Sequence, residues 1–202
     1  MWKAVPESEH TPAYVEKIMY DFSELYVAGS QSTAYSAMMI LYFMAIYPDV
    51  RNRLMKEIEK YVKSDEDVVH ENVKQMVYLD CVLHESFRIY LSIDGIFVRL
   101  ATKDHFLGDL KVLKGTWIMH GFLSMQYNPA NYEKPTEFIP ERWLNEDGTL
   151  KTPKPYTWMA FSSGARNCLG RHLALLELRL IVIQFLRKYD LTLETTDWRM
   201  VF

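Results

Sequence analysis

The sequence predicts a mainly helical fold of the α+β class, and three observations lead to this prediction. Most of the chain carries apolar residues at helical spacing, one short region alternates between apolar and polar residues, and a proline-rich coil precedes the last helix. The 202 residues are 49% hydrophobic and 24% charged, which is the composition of a globular protein with a sizeable core. A net charge of −3 without a basic cluster argues against nucleic-acid binding.

The first predicted element is one very long helix over residues 11–47, which ends at Pro48. Residues 25–48 carry no charge, and the segment is long enough to span a bilayer. Hydroxyl and amide side chains interrupt its first half. A long helix buried in a protein core is therefore the preferred interpretation, and a membrane span is the alternative.

Shorter helices follow. Asp49 is expected to cap an amphipathic helix over residues 49–62, with Arg53 and Glu57 as solvated neighbours on its surface. Two further helices are predicted near residues 71–75 and 79–90. The second of these has a clear apolar side, formed by Leu79, Val82, Leu83 and Phe87.

Beyond the helices the pattern changes. Residues 97–119 alternate in short segments with Gly108 and Gly115 as turns, which predicts a small sheet. Residues 128–155 contain five prolines and many aromatic residues, which predicts an irregular, packed coil. The last predicted elements are an apolar helix over residues 169–188 and a terminal strand over residues 191–195.

The chain has only two cysteines, and they lie in dissimilar settings. A disulfide framework is therefore not expected, and a reducing compartment is the default. Cys81 falls in the middle of a predicted helix and is most simply a core residue.

Cys168 lies in the segment where chemically useful residues concentrate, Phe161-Ser-Ser-Gly164-Ala-Arg166-Asn-Cys168-Leu-Gly170. The two glycines can adopt positive φ or allow a flat ligand to approach the backbone closely. Cys168 stands where the loop becomes the last helix, so unpaired helix N–H groups favour the thiolate that a metal requires. Arg166 supplies a cation suited to an anionic cofactor group. The alternative is a buried structural cysteine beside a surface arginine.

The complete pattern F-x-x-G-x-R-x-C-x-G resembles the haem-ligand loop of the cytochrome P-450 family. The resemblance implies that Cys168 is the metal ligand, binding the iron of haem b (iron protoporphyrin IX), and that Arg166 holds a propionate. Phe161, Gly164 and Gly170 would then shape the cofactor loop. Residues 1–202 would form a single partial domain, the C-terminal haem-binding half of that fold, with a long central helix and small sheets.

Two further motifs stand in the order that this family has. Glu85 and Arg88 are three residues apart on one helix face, so they can pair, and they resemble an E-x-x-R motif. The segment Phe138-Ile-Pro-Glu-Arg142-Trp143 resembles the family's F-x-P-E-R-F/W segment. By resemblance, Glu85, Arg88 and Arg142 form a charged lock that holds the coil, and thereby the cysteine loop, beneath the haem.

Arg99 is a candidate for the second propionate contact. The stretch Val98-Arg99-Leu100 resembles the family segment that sends an arginine to a haem propionate. An exposed strand arginine is the alternative.

The segment Ala28-Gly29-Ser30-Gln31-Ser32-Thr33 lies midway along the uncharged helix. Gly29 costs about 1 kcal/mol in a helix interior, and a hydroxyl bonded to the carbonyl one turn back would bend the helix. The segment resembles the family's oxygen-binding groove, which implies that Gly29 is a cofactor-binding residue and that Ser32 and Thr33 are catalytic and relay protons. Gln31 departs from the family pattern, because it stands where an acid is expected and cannot supply a proton at neutral pH.

The resemblance implies a haem-thiolate monooxygenase that inserts one oxygen atom of O₂ into a small apolar substrate, with an NADPH-dependent reductase as electron donor. Likeness to eukaryotic microsomal members implies the endoplasmic reticulum membrane, although this chain shows no anchor. Two alternatives remain open: a truncated, non-catalytic remnant, and a haem-thiolate isomerase or dehydratase, which Gln31 favours. Because the chain covers less than half of the family fold, its long helix is expected to expose Met38, Met39, Leu41 and Phe43.

Overall fold

A computed structural model describes residues 11–94 and 98–194 and confirms the mainly helical α+β class. The α-helices in these residues are α1 (Pro12–Ile46), α2 (Pro48–Tyr61), α3 (His70–Val73), α4 (Val77–Ile89), α5 (Phe122–Gln126) and α6 (Arg171–Lys188). The strands are β1 (Val98–Leu100), β2 (His105–Leu107), β3 (Leu110–Val112) and β4 (Trp117–Met119). Two 3₁₀ turns, Pro140–Trp143 and Gly164–Arg166, lie in the long connection before α6.

Helix α1 begins and ends close to the predicted limits. The Thr11 hydroxyl caps it by accepting a hydrogen bond from the Tyr14 N–H at 3.2 Å. Pro48 does more than end α1, because it is also the first residue of α2. A proline suits this position, where its missing N–H would have had no helical partner. Asp49 therefore lies inside the first turn of α2, and its predicted role as the cap is wrong.

Only the last part of α1 is buried. Its buried residues are Ser36, Ala37, Met39, Ile40, Phe43 and Met44. The preceding turns are largely exposed, so the prediction of a helix buried along its length is wrong there. The predicted exposure of Met38 is confirmed, whereas Met39 and Phe43 pack in the core and Leu41 is half-buried. Among the described residues, no helix has both the length and the apolarity needed to cross a membrane.

Helix α4 lies at the centre of the molecule, in contact with α1, α2, α5 and the Pro140–Trp143 turn. The residues of α4 are buried on all sides of the helix, so the prediction of a single apolar face is incomplete. The Glu57 carboxylate of α2 accepts hydrogen bonds from the N–H groups of Tyr78 and Leu79 in the first turn of α4, at 2.9 and 2.8 Å. Arg53 donates to the Glu141 carboxylate at 2.8 Å. Glu57 is thus a half-buried residue that holds α4, and its prediction as a solvated neighbour is wrong, whereas the Arg53 side chain is 47% exposed, as predicted.

The strands form two separate antiparallel pairs, β1 with β4 and β2 with β3, which confirms the small sheets of the predicted fold class. The β2–β3 hairpin is inserted between the two strands of the other pair. Gly108 lies in the turn between β2 and β3 at φ +58°, and Gly115 lies in the turn between β3 and β4 at φ +87°. Both were predicted as turns, and both backbone conformations favour glycine.

The segment after β4 contains one short helix, α5, that the sequence pattern did not predict. Helix α5 begins where the Asp94 carboxylate accepts hydrogen bonds from Phe122 N and Leu123 N, at 3.1 and 3.4 Å. The coil that follows is irregular as predicted, and Phe138 in it stacks on Phe43 of α1 at 4.6 Å between ring centroids.

The terminal strand is wrong for residues 191–194, and Thr195 lies outside the described residues. The Leu191 carbonyl instead accepts a hydrogen bond from the Arg51 side chain at 2.6 Å.

Candidate functional site

Glu85 and Arg88 form a fully buried ion pair on α4. Both side chains have 0% exposure, and Arg88 Nε and Nη2 donate to the two carboxylate oxygens at 2.9 Å each. This two-pronged geometry is the strongest that an arginine and a carboxylate can form. Because both charges are removed from water, deleting either partner would leave a buried charge, at a cost of about 3–5 kcal/mol.

Arg88 uses its remaining N–H groups to bind backbone carbonyls of α5 and the coil. The acceptors are the carbonyls of Gln126, Pro135 and Glu137, at 3.1, 2.6 and 3.0 Å. The guanidinium therefore fixes the end of α5 at one point and the path of the coil at two points, independently of the coil's side chains.

Glu85 accepts three further hydrogen bonds from the coil and the turn that follows it. The donors are Ile139 N at 2.8 Å, Arg142 Nε at 3.0 Å and Trp143 Nε1 at 2.8 Å. The structure thus brings Glu85, Arg88 and Arg142 together, as their motifs indicated. Sequence reasoning missed Trp143, although a buried indole N–H needs an acceptor and so gave a usable signal.

A stack of aromatic rings connects α4 to the cysteine loop. The His84 ring stacks on Trp158 at 4.6 Å with 18° between planes, and Trp158 Nε1 donates to the His84 carbonyl at 3.0 Å. Phe161, the first residue of the cysteine motif, packs edge-on against Phe87 at 5.2 Å. Burial lowers the pKa of the His84 imidazole, so the neutral ring is favoured in this stack.

The cysteine loop closes on its own backbone. Cys168 N donates to the Phe161 carbonyl at 2.9 Å, and Asn167 N donates to the Gly164 carbonyl at 3.2 Å. Gly164 adopts φ +75°, as its position in the motif had indicated, whereas Gly170 has an ordinary φ of −84° and precedes the first residue of α6. A Cβ added to Gly170 would lie 4.0 Å from Cys168 Sγ, so this glycine leaves room beside the sulfur.

The thiol of Cys168 is exposed, and its surroundings fit a haem. Leu169, the next residue in the chain, is 83% exposed and offers an apolar surface. Arg166 in the same loop is also exposed, and no carboxylate pairs with it among the described residues. A thiol can ligate the haem iron, an apolar side chain can contact the macrocycle, and an unpaired cation can bind a propionate. These residues therefore fit a haem.

Arg99 lies on β1, opposite Ile118 of β4, with an exposed side chain. Its guanidinium donates to the Val98 carbonyl at 3.3 Å, and no ion pair joins it to a carboxylate in the described part of the chain. The structure therefore leaves Arg99 free to bind an anion but does not bring it into contact with the cysteine loop.

The hydroxyls of the α1 segment bond back to their own helix. Ser32 Oγ donates to the Ala28 carbonyl at 2.6 Å, which is the bond to the carbonyl one turn back that was expected of a hydroxyl in this segment. The equivalent bond from Thr33 to the Gly29 carbonyl is absent among the described residues. Gly29 has no atom within 4 Å of a Cβ added to it, so nothing in this part of the chain requires a glycine there.

Comparisons with known proteins agree with the motifs. The family model for Cytochrome P450 matches residues 6–201. Cytochrome P450 3A2 of Rattus norvegicus is 32% identical over 164 residues, which cover 81% of this chain and 32% of the rat protein. Lithocholate 6-beta-hydroxylase of Mesocricetus auratus is 33% identical over 177 residues, or 87% of this chain and 34% of that protein.

A third relative is covered more fully. Cytochrome P450 3A19 of Capra hircus aegagrus is 32% identical over 164 residues, 80% of this chain and 73% of the goat protein. The chain spans about a third of the rat and hamster proteins. The cysteine motif, the buried Glu85–Arg88 pair and a family match over nearly the whole sequence lead to one conclusion: this chain belongs to the cytochrome P450 family.

Proposed function

We propose that this chain is the haem-binding part of a haem-thiolate monooxygenase, with Cys168 as the iron ligand. The observation that carries the proposal is the exposed Cys168 thiol, held in a loop whose backbone closes between Cys168 N and the Phe161 carbonyl. A thiol that only filled a core would be buried, as Cys81 is.

Membership of the family implies a haem cofactor, and we propose haem b. When bound, the haem supplies the iron at which O₂ is activated, and the thiolate donates electron density to it. Arg166 and Arg99 would pair with the two propionates, since neither has a carboxylate partner among the described residues. Gly164 and Gly170 allow the loop to approach the macrocycle closely, and Phe161 holds the loop against Phe87.

Ser32 and Thr33 are the proposed proton-handling residues. The Ser32 hydroxyl proton is committed to the Ala28 carbonyl at 2.6 Å, which leaves the lone pairs of Ser32 Oγ to accept from water. Thr33 is the hydroxyl with a proton to donate. Gly29 leaves open space on the same stretch of α1, where a small molecule can reach the backbone.

Glu85, Arg88 and Arg142 are proposed as positioning residues. Their hydrogen bonds fix the coil. Trp158, which comes after the coil in the sequence, packs against Phe161, the first residue of the cysteine loop, so that a fixed coil also positions this loop. We expect them to preserve thiolate ligation without contacting the haem.

The electron donor, substrate and location are proposals drawn from the relatives. One relative bears the name of a hydroxylase and others are cytochromes P450 3A, which supports an apolar organic substrate and an NADPH-dependent reductase. On the basis of the same likeness, we propose that the protein is located at the endoplasmic reticulum membrane.

The absorption spectrum of the reduced, carbon-monoxide-bound protein tests this function. We expect a strongly red-shifted Soret band that is lost in Cys168→Ala and retained in Cys81→Ala, the matched control. A red-shifted band that survives in Cys168→Ala would contradict the ligand assignment, and failure of the protein to take up haem would contradict the function.

Gln31 favours a second candidate, a haem-thiolate isomerase or dehydratase, because such chemistry on a hydroperoxide needs no acid for proton delivery. Turnover of lipid hydroperoxides without any reductant would support this candidate. Strict dependence of product formation on reductase and O₂ would support the monooxygenase.

A further inference from the structure

A cavity of about 350 Å³ lies between α3 and the first half of α6. This volume falls within the range of small-molecule binding sites. Val73, Leu173 and Leu176 give it apolar walls, and Val73 belongs to the hydrophobic core, which makes the floor of the cavity a fixed surface.

The other side chains that line this cavity all carry nitrogen. They are His70 and Lys74 from α3 and its C-terminal end, and His172 and Arg179 from α6. No carboxylate lines the cavity, although the chain as a whole carries a net charge of −3. The site therefore concentrates hydrogen-bond donors and positive charge beside an apolar surface.

The donors of this site are held in place or unpaired. Arg179 Nε donates to Asp80 Oδ1 of α4 at 2.7 Å, which orients the guanidinium. Its two terminal NH₂ groups have no hydrogen-bond partner in the described part of the chain. Lys74 likewise forms no ion pair with any described residue. Such groups are available to an incoming anion without the loss of an existing bond.

We propose that this cavity binds an amphiphilic monocarboxylate, a small molecule with an apolar body and one carboxylate head. The carboxylate would pair with Arg179 and Lys74, and the apolar body would lie on Leu173 and Leu176. A simple inorganic anion would leave these leucines in water, and an uncharged lipid would leave the donors unpaired. The amphiphilic anion satisfies both halves of the site.

Photoaffinity labelling of the intact protein tests the proposal, with a diazirine-bearing analogue of decanoic acid as the probe. We expect covalent labelling of the peptides that contain Val73 and Leu173, located by mass spectrometry. Excess decanoate should suppress this labelling, whereas decanol, which lacks the charge, and acetate, which lacks the apolar body, should not. Suppression by decanol as strong as by decanoate, or labelling only elsewhere, would overturn the proposal.

Charge reversal supplies the matched comparison. Lys74→Glu and His172→Glu should each reduce labelling at these peptides about tenfold, a change of about 1.4 kcal/mol in binding free energy. Lys56→Glu, an exposed lysine of α2, should leave it unchanged. Equal labelling in all three variants would sink the proposal. The readout does not depend on haem, so it can fail while the carbon-monoxide spectrum succeeds, and the reverse.

Discussion

The two cysteines differ in how far their sulfur atoms are removed from water. Cys168 is exposed at the start of the last helix, whereas Cys81 has 0% exposure in α4. Burial, with the nearby carboxylate of Asp80, raises the pKa of the Cys81 thiol to about 12, so the reactive thiolate is scarce at neutral pH. The Cys168 sulfur is therefore accessible to reagents in solution, whereas the Cys81 sulfur is not.

This difference predicts the outcome of thiol labelling. In the folded, haem-free protein, iodoacetamide should modify Cys168 and spare Cys81, because only the first sulfur is accessible. Urea should make both react, and added haem should protect Cys168. Peptide mass spectrometry measures the two sites separately. Labelling of folded Cys81 at the rate of Cys168 would contradict the assigned burial.

At the scale of elements, the N-terminus of α4 depends on a residue from another helix. The Glu57 carboxylate of α2 accepts from Tyr78 N and Leu79 N, which supplies partners for two N–H groups that a helix leaves unsatisfied. Burial raises the pKa of the Glu57 carboxyl, although both backbone hydrogen bonds oppose that rise. The cap thus combines a desolvation cost with two specific bonds.

Glu57→Ala should lower the free energy of unfolding by about 1–2 kcal/mol, the cost of losing a helix cap. Glu59→Ala, at an exposed site two residues further along α2, is the control and should change it by less than about 0.5 kcal/mol. Urea denaturation of both variants gives the comparison. An equal loss of unfolding free energy in the two variants would show that the Glu57 cap adds no more stability than an exposed residue of α2.

Elements whose limits depend on local signals could be predicted from the sequence. Thr11 and Pro48 mark the ends of α1, and the cysteine motif located the loop at residues 161–170. Elements that depend on distant partners could not be predicted. Helix α5 needs the Asp94 carboxylate, and Leu191 is held by the Arg51 side chain and not by a strand. The burial of the Glu85–Arg88 pair was equally invisible, because a spacing of three residues is common on exposed helices.

At the scale of the whole molecule, α4 connects the core to the candidate site through His84. This ring stacks on Trp158, donates from Nδ1 to the Asp80 carbonyl at 2.8 Å, and lies near Arg171 and Arg179 of α6. Burial lowers its pKa below the ordinary value of about 6.5. The unfolded chain therefore binds a proton at His84 more readily than the folded protein does.

This linkage predicts that the free energy of unfolding falls as the pH decreases below about 6.5, and that the contribution of His84 is complete above that value. His84→Phe keeps an aromatic ring but removes the titration, so its stability should fall less over the same range. Urea denaturation between about pH 5.5 and 7.5 avoids most carboxylate titration. Identical pH dependence in both proteins would rule out His84 as the source.

The contacts of Arg88 with the coil go to carbonyl oxygens, those of Gln126, Pro135 and Glu137, and Glu85 binds the Ile139 N–H. None of these four bonds uses a coil side chain. Between Gln126 and Ile139 these four bonds therefore constrain the length of the chain more than its composition, whereas Arg142 and Trp143 are bound through their side chains. A substitution at an exposed site such as Thr136 leaves all four bonds in place. Deleting Thr136 would instead move either the Pro135 or the Glu137 carbonyl away from the buried Arg88 guanidinium.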